Sequence, residues 1–469
     1  MRSSKLVELL VALRPGEYEE FQKFVESPYF NTRKELEPFC RELLRFAPDF
    51  KDPDLEKEEI WSRAFPGMPF DDKQMGYLMN YLLKLGEQFL GIQQFNAEPC
   101  GPILACLDAM AERDLHKHYH FLLRKAKQRM AHERLNTDCF RLQRYRLAEI
   151  ESKYFERQKK RQEQSDALDA LYFYEKLRIS CAMANLQAIV SADYTINFID
   201  ELTAYLSANK SAVEPTVEML LYCYLSITTP GQDEYFERLQ ALMLEQEGNT
   251  GQKEMADIYL HAINFCARRI REGKQRYYEY ALRLYEKGIE QRILFDGDHL
   301  SHWTFTNVVK LALALQRYEW LEEFMDRYHA AIHPANRRDA LHFNYAELFF
   351  HRREYDKVLV HLQHLQFTDL HYHLSSRLIL LKTYFETGEM ESLLSLLASF
   401  TAYLRRNRKV SSNLRKALLN FCNQLHYVLR SRNRNGQQVS ERIRQTQPIV
   451  DKEWLLRIAS AYVESPGGR

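Results

Sequence analysis

Apolar residues recur at i, i+3, i+4 and i+7 through nearly the whole chain, and the strict alternation of a half-buried strand never persists. That period predicts helices from end to end. A first helix is expected over about Ser3–Leu13, and a second after Pro15 that places Tyr18, Phe21, Phe24 and Val25 on one face. Ser27-Pro28 ends it, because the residue before a proline avoids the helical region. The next stretch, "ESPYFNTRKELEPF", reads as an interhelical corner rather than a ligand site. Thr32-Arg33-Lys34-Glu35 has capping-box form, with Thr32 or Asn31 as the cap, and Tyr29 and Phe30 precede it as a staple for Leu36 or a neighbour. Further helices are expected over Glu56–Phe65 and from Asp71 or Asp72 to about Phe89.

The composition shift "NAEPCG" at Asn96–Gly101 marks a domain boundary, closing an N-terminal helical domain over 1–95. A long-helix region follows over 101–190: Asp114–Leu135, Thr137–Gln164 and Ser165–Val190. The middle helix is so charged that it is expected to protrude or lie across the surface. Beyond it the helices shorten and pair. "ALALQRYEWLEEF", "LFFHRREYDKVLVHL" and "TYFETGEMESLLSLL" align on Tyr318, Tyr355 and Met390, spaced by roughly 37 and 35 residues, near the ~34-residue tetratricopeptide (TPR) period. A looser copy lies upstream around Gly273. Units of this kind leave an apolar face that only a neighbour covers, so a TPR-like superhelix is expected over 191–430, followed by a basic tail with a terminal helix over 431–469.

The stretches "FVESPYFNTRKELEPF", "DGDHLSHWTFTNVVKLAL", "LILLKTYFETGE" and "LLASFTAYLRRN" carry a resemblance that spans nearly the full length. On them the chain is similar to a bacterial family of uncharacterised, TPR-like all-helical proteins. The resemblance implies the all-α fold and brings no established activity.

Composition narrows the function classes. In 469 residues Gly (16) and Pro (14) are scarce, which disfavours turn-rich sheets, while Tyr (28) and Phe (27) are abundant and wedge helices together. None of the eight cysteines pairs at CxxC spacing, the pattern of reduced thiols in a cytoplasmic protein. The run Leu6–Leu13 is too short and too polar for a signal peptide, and no apolar run reaches the roughly 18 residues that span a bilayer, so no membrane insertion is expected.

No phosphate-cradling glycine loop, HExxH or GxSxG is present, and no cofactor is implied. Glu112, His116 and His120 would share a face if one helix carried them, the spacing of an i,i+4 metal pair, but no fourth ligand can be named and a solvated or interhelix face is the simpler reading. Asn264, Asn307 and Asn344 fall at one position of the first helix in three aligned units. There a side-chain amide, both donor and acceptor, would serve the backbone of an extended peptide; otherwise each Asn satisfies a local group or faces water. Net charge is +1, yet from Thr401 onward roughly fourteen Lys/Arg face four Asp/Glu. Arg405, Arg406, Arg408, Lys409, Arg432 and Arg434 would form the phosphate-neutralising strip, if one exists. Lys73 and Lys84 alone are too few for a helix-turn-helix in the acidic N-terminal region.

The expectation is an all-α protein, an N-terminal helical domain followed by a TPR-like α-solenoid. It is expected to act as a non-catalytic scaffold or adaptor for a protein or peptide partner. The alternative is an RNA- or ribosome-associated factor using the basic C-terminal end.

Overall fold

The computed structural model describes every residue except 2, 52–54, 134–139, 156–157, 190–193, 210–212, 230, 364, 366–369, 408, 432–435 and 465–469. Among the described residues the chain is all-α, with 23 α-helices and one two-stranded hairpin, Phe295–Asp296 paired with His299–Leu300. Two compact units divide it: Met1–Thr228 with Asp233–Glu254, and Thr229–Gln232 with Met255–Arg469. That cut lies inside the stretch 191–430 expected to form one array.

In the first unit, α1 (Lys5–Val11), α2 (Glu17–Glu26), α3 (Leu36–Leu44), α4 (Lys57–Ala64) and α5 (Asp72–Ala97) close a core around Leu10, Phe21, Phe39 and Leu82. Each such side chain contributes about 1.5–3 kcal/mol on leaving water. Asp71 caps α5 as expected, accepting the Lys73 and Gln74 amides. Gly86 lets α1 approach: a Cβ there would sit 2.9 Å from Leu9 Cδ2. The aromatic motif turns a corner, by a different device from the one expected. Asn31, buried, donates to the Val25 carbonyl at 2.8 Å and accepts the Arg33 amide at 2.8 Å. α3 starts at Leu36, so Thr32 does not cap it. Phe30 stacks on Phe24 at 4.2 Å, Tyr29 is exposed, and Arg33 lies 3.8 Å over the Tyr81 ring.

α6 (Gly101–Glu112), α7 (His116–Glu133) and α8 (Phe140–Phe155) hold a second cluster around Leu104, Leu107, Tyr119 and Ile150. α8 packs against α9 (Gln158–Ile189), which in turn meets α11 (Pro215–Thr228); α10 (Ile199–Ala208) and α12 (Glu234–Glu245) complete the unit. The expected surface helix keeps one face exposed, with Leu142, Arg144, Arg146 and Lys153, and buries the other. Arg141, Gln143, Glu151 and Ser152 of α8 are all buried, their charges answered by partners distant in sequence.

From Met255 the second unit is a series of helix pairs: α13 (Gln252–Arg271, its first three residues counted with the first unit) with α14 (Arg276–Glu290), α15 (His302–Ala314) with α16 (Tyr318–Tyr328), α17 (Pro334–His351) with α18 (Tyr355–Gln363), and α19 (Leu370–Thr387) with α20 (Met390–Arg406). Tyr318, Tyr355 and Met390 are each the first residue of a second helix, as the alignment predicts. One turn recurs in all four. A residue with left-handed backbone, Gly273, Gln316, Arg353 or Gly388, follows the first helix. The next amide then reaches back five residues: Lys274 to Arg269, Arg317 to Ala312, Glu354 to Phe349 and Glu389 to Tyr384, at 2.9–3.0 Å. This is the Schellman closure, which satisfies the orphan carbonyls of a helix end. First helices α15, α17 and α19 lie side by side. α21 (Ser412–Arg430) packs on α20 and on α23 (Lys452–Glu464), and α22 (Gly436–Gln445) on α23. The expected basic tail is thus partly folded, with Val439 and Ile443 buried.

Candidate functional site

A cleft of about 570 Å³ opens in the second unit, walled by the end of α17, the turn into α18, the middle of α19 and the start of α23, with Tyr278 of α14 at its edge. Such a volume lies in the range of ligand sites. Its lining mixes aromatic and charged side chains. Phe350 and Trp454 are nearly buried, and Trp454 stacks on Phe421 with ring centroids 5.9 Å apart.

Ion pairs fix the polar groups. Lys382, 9% exposed, points Nζ at Asp451 Oδ2 at 2.7 Å and lies 4.9 Å from the Phe350 ring centroid. Burial pulls its pKa down, but Asp451 and Glu347 outweigh that and hold it above the ordinary lysine value. Lys382 is therefore an ammonium, not a nucleophilic amine. Glu386 Oε1 accepts Trp454 Nε1 at 2.9 Å and Arg457 Nη2 at 2.6 Å. Tyr355 is also hydrogen-bonded to Glu386, and burial raises its phenol pKa. Lys452 donates to the Arg444 carbonyl at 2.7 Å. Arg353 makes no ion pair among the described residues.

The sequence-predicted asparagines do not converge on this cleft. All three keep one register relative to their turns, yet Asn264 and Asn307 are exposed whereas Asn344 is fully buried. Asn307 donates to the Tyr285 hydroxyl at 3.1 Å. Asn344 donates to Thr306 Oγ1 at 3.1 Å and to the Ala340 carbonyl at 2.7 Å, and Thr306 pairs with the Tyr372 hydroxyl at 3.1 Å. This polar chain joins α15, α17 and α19 from inside. Asn344 therefore presents nothing to a peptide backbone, because the three side-by-side helices cover it. Asn344→Ala is expected to lower stability by about 1–2 kcal/mol, since it strips Thr306 of a buried donor. Denaturant unfolding measures this, and an unchanged midpoint would mean that the Asn344–Thr306 bond adds nothing net to stability.

A left-handed turn at Asp114 separates Glu112, the last residue of α6, from His116 and His120, which share α7, so one helix does not carry all three. His116 Nδ1 is 2.6 Å from the Tyr154 hydroxyl, and His120 lies edge-on to Tyr154. Among the described residues no cluster of three His, Cys, Asp or Glu has metal-holding geometry. Of the basic strip, Arg405, Arg406 and Lys409 are exposed, while Arg408, Arg432 and Arg434 lie outside the described residues. Among the described residues no helix is long and apolar enough to cross a membrane.

The cleft residues Arg353, Tyr355, Lys382, Asp451 and Trp454 were not singled out by motif reading. One signal was available: Lys382 interrupts the apolar run "LILLKTYF", and a lysine on a buried stripe requires a carboxylate. Its partner lies a long way along the chain, beyond the reach of local patterns. Comparison with known proteins returns no matching family model, no matching curated protein and no matching solved structure.

Proposed function

We propose that the chain is a non-catalytic, TPR-like helical scaffold of the cytoplasm that holds a protein or peptide partner, with the cleft of the second unit as its seat. The cleft is the observation that supports this reading. Its aromatic lining offers apolar contact, and two of its cations, Lys382 and Arg457, are held in place by pairs already made, so binding orders few side chains. A protonated Lys382 is suited to positioning rather than to covalent chemistry. Asn264 and Asn307, exposed at matching register, add amides along the same series of first helices.

The test is retrieval of the tagged full-length protein from its own cells, with and without RNase. A stoichiometric protein partner that survives RNase is the expected result. The competing reading, an RNA- or ribosome-associated factor, draws on Arg405, Arg406 and Lys409, three exposed cations without an ion pair among the described residues. Ribosomal proteins or RNA that vanish on RNase treatment would favour that reading, and nothing bound in either arm would end both.

A further inference from the structure

We infer that the cleft of the second unit takes an acidic peptide segment, a carboxylate meeting Arg353 beside the start of α23 while a neighbouring apolar or aromatic side chain lies on the tyrosine-lined wall. This rests on the scaffold reading and names its partner by chemistry.

The charges of the cleft fall into two groups. Lys382 and Arg457 are committed, to Asp451 at 2.7 Å and to Glu386 at 2.6 Å. Arg353 is uncommitted among the described residues, and Lys452 spends one hydrogen on a backbone carbonyl. Of the two acids that line the cleft, Asp451 is already paired with Lys382, which leaves Glu453 against Arg353 and Lys452. The first turn of α23 adds to the positive side. Lys452, Glu453 and Trp454 all line the cleft, and the amides of a first helical turn lack intrahelical partners and carry the positive end of the dipole. A planar guanidinium matches a carboxylate with two parallel hydrogen bonds, which an ammonium cannot do.

The placement of Arg353 sharpens the case. It occupies the left-handed position of its turn, with φ 64°, where Gly273 and Gly388 stand in two sister turns. A side chain there is disfavoured by roughly 1–2 kcal/mol. Gln316 shows that the turn tolerates a non-glycine, so strain by itself marks nothing. What distinguishes Arg353 is that its side chain lines the cleft. The remaining wall, Tyr278, Phe350, Tyr355 and Trp454, accepts rings and aliphatic stems, and about 570 Å³ admits a few side chains rather than a duplex.

The experiment uses the full-length protein and a fluorescent hexapeptide of alternating glutamate and phenylalanine, in amidated and free-acid forms, read by fluorescence anisotropy. Arg353→Gly is the decisive variant, because glycine suits this turn and the fold is kept while the cation is removed. Binding at least tenfold weaker in Arg353→Gly, with an unfolding midpoint no lower than wild type, is the expected result. Equal affinity of the two peptide forms assigns side-chain carboxylates, and preference for the free acid assigns a chain terminus; either fits the site. Equal binding by wild type and Arg353→Gly overturns the inference, as does a wild-type preference for the lysine–phenylalanine counterpart. If cellular capture of a protein partner survives Arg353→Gly, the scaffold reading stands and the cleft is not its seat.

Discussion

Arg141→Ala is expected to cost about 3 kcal/mol or more of folding stability, among the largest losses any single polar substitution can cause in this chain. Arg141 is 9% exposed, and its guanidinium is divided among three neighbours. Nε and Nη2 donate to Glu214 Oε2 at 3.1 and 2.9 Å, and Nη1 donates to Glu254 Oε1. The cation also lies 3.9 Å over the Tyr174 ring. Burial works against the charge, but the two carboxylates outweigh it and raise the arginine pKa further. Truncation leaves Glu254 without an ion pair among the described residues, while Glu214 keeps Arg144 at 3.1 Å. The loss therefore comes from a half-buried carboxylate stranded without a counter-charge, together with an emptied arginine stem. Urea unfolding of Arg141→Ala checks the size. Adding Glu254→Gln to it separates the causes: if stranded charge dominates, the double variant regains a clear part of the loss. A single-variant loss below 1 kcal/mol would mean that the cluster is solvated and of little structural weight.

The same cluster explains what was legible in the sequence. Periodicity identified most helices, although the break expected between Gln164 and Ser165 falls inside α9; the alignment on Tyr318, Tyr355 and Met390 found the start of three second helices, because turn and period are local properties. Periodicity did not show that α8 has a buried, charge-paired face beside its exposed one. Arg141 and Glu214 are separated by 73 residues, so a charged helix and a helix with buried, answered charges look alike in one dimension. Asn344 failed for a related reason. Its register matches Asn264 and Asn307, but exposure depends on which neighbours flank the helix, and Ile379 at the equivalent place of the next pair is buried as well. The position is open in the first two pairs and closed in the last two. At the aromatic corner the turn itself was legible, whereas the choice of Asn31 over Thr32 depended on where α3 begins.

Lys382→Met is expected to destabilise the second unit by about 2–3 kcal/mol and to loosen α23 before the rest. Lys382 is the buried member of its pair, whereas the Asp451 side chain is 36% exposed, so the cost falls below that of breaking a fully buried pair. Asp451 immediately precedes α23 and holds a left-handed backbone, φ 47°, while its carbonyl accepts the Leu455 amide at 3.1 Å. Without the ammonium, the start of α23 keeps the bonds of Trp454 and Arg457 to Glu386 and of Lys452 to the Arg444 carbonyl. Amide exchange resolves the order: α23 should lose protection more than α19. The pH dependence supplies an independent check. Because the folded Lys382 pKa is raised, its contribution is fully present below the unfolded lysine value of about 10.4 and is lost as pH rises through the folded value. Wild type should therefore lose stability on the alkaline side of that value, and Lys382→Met should lose less over the same interval. Parallel alkaline profiles for the two proteins would show that the ion pair does not hold α23. In that case the cleft wall would rest on Trp454 packing and on the bonds of Trp454 and Arg457 to Glu386, and Lys382 would be free to meet whatever enters.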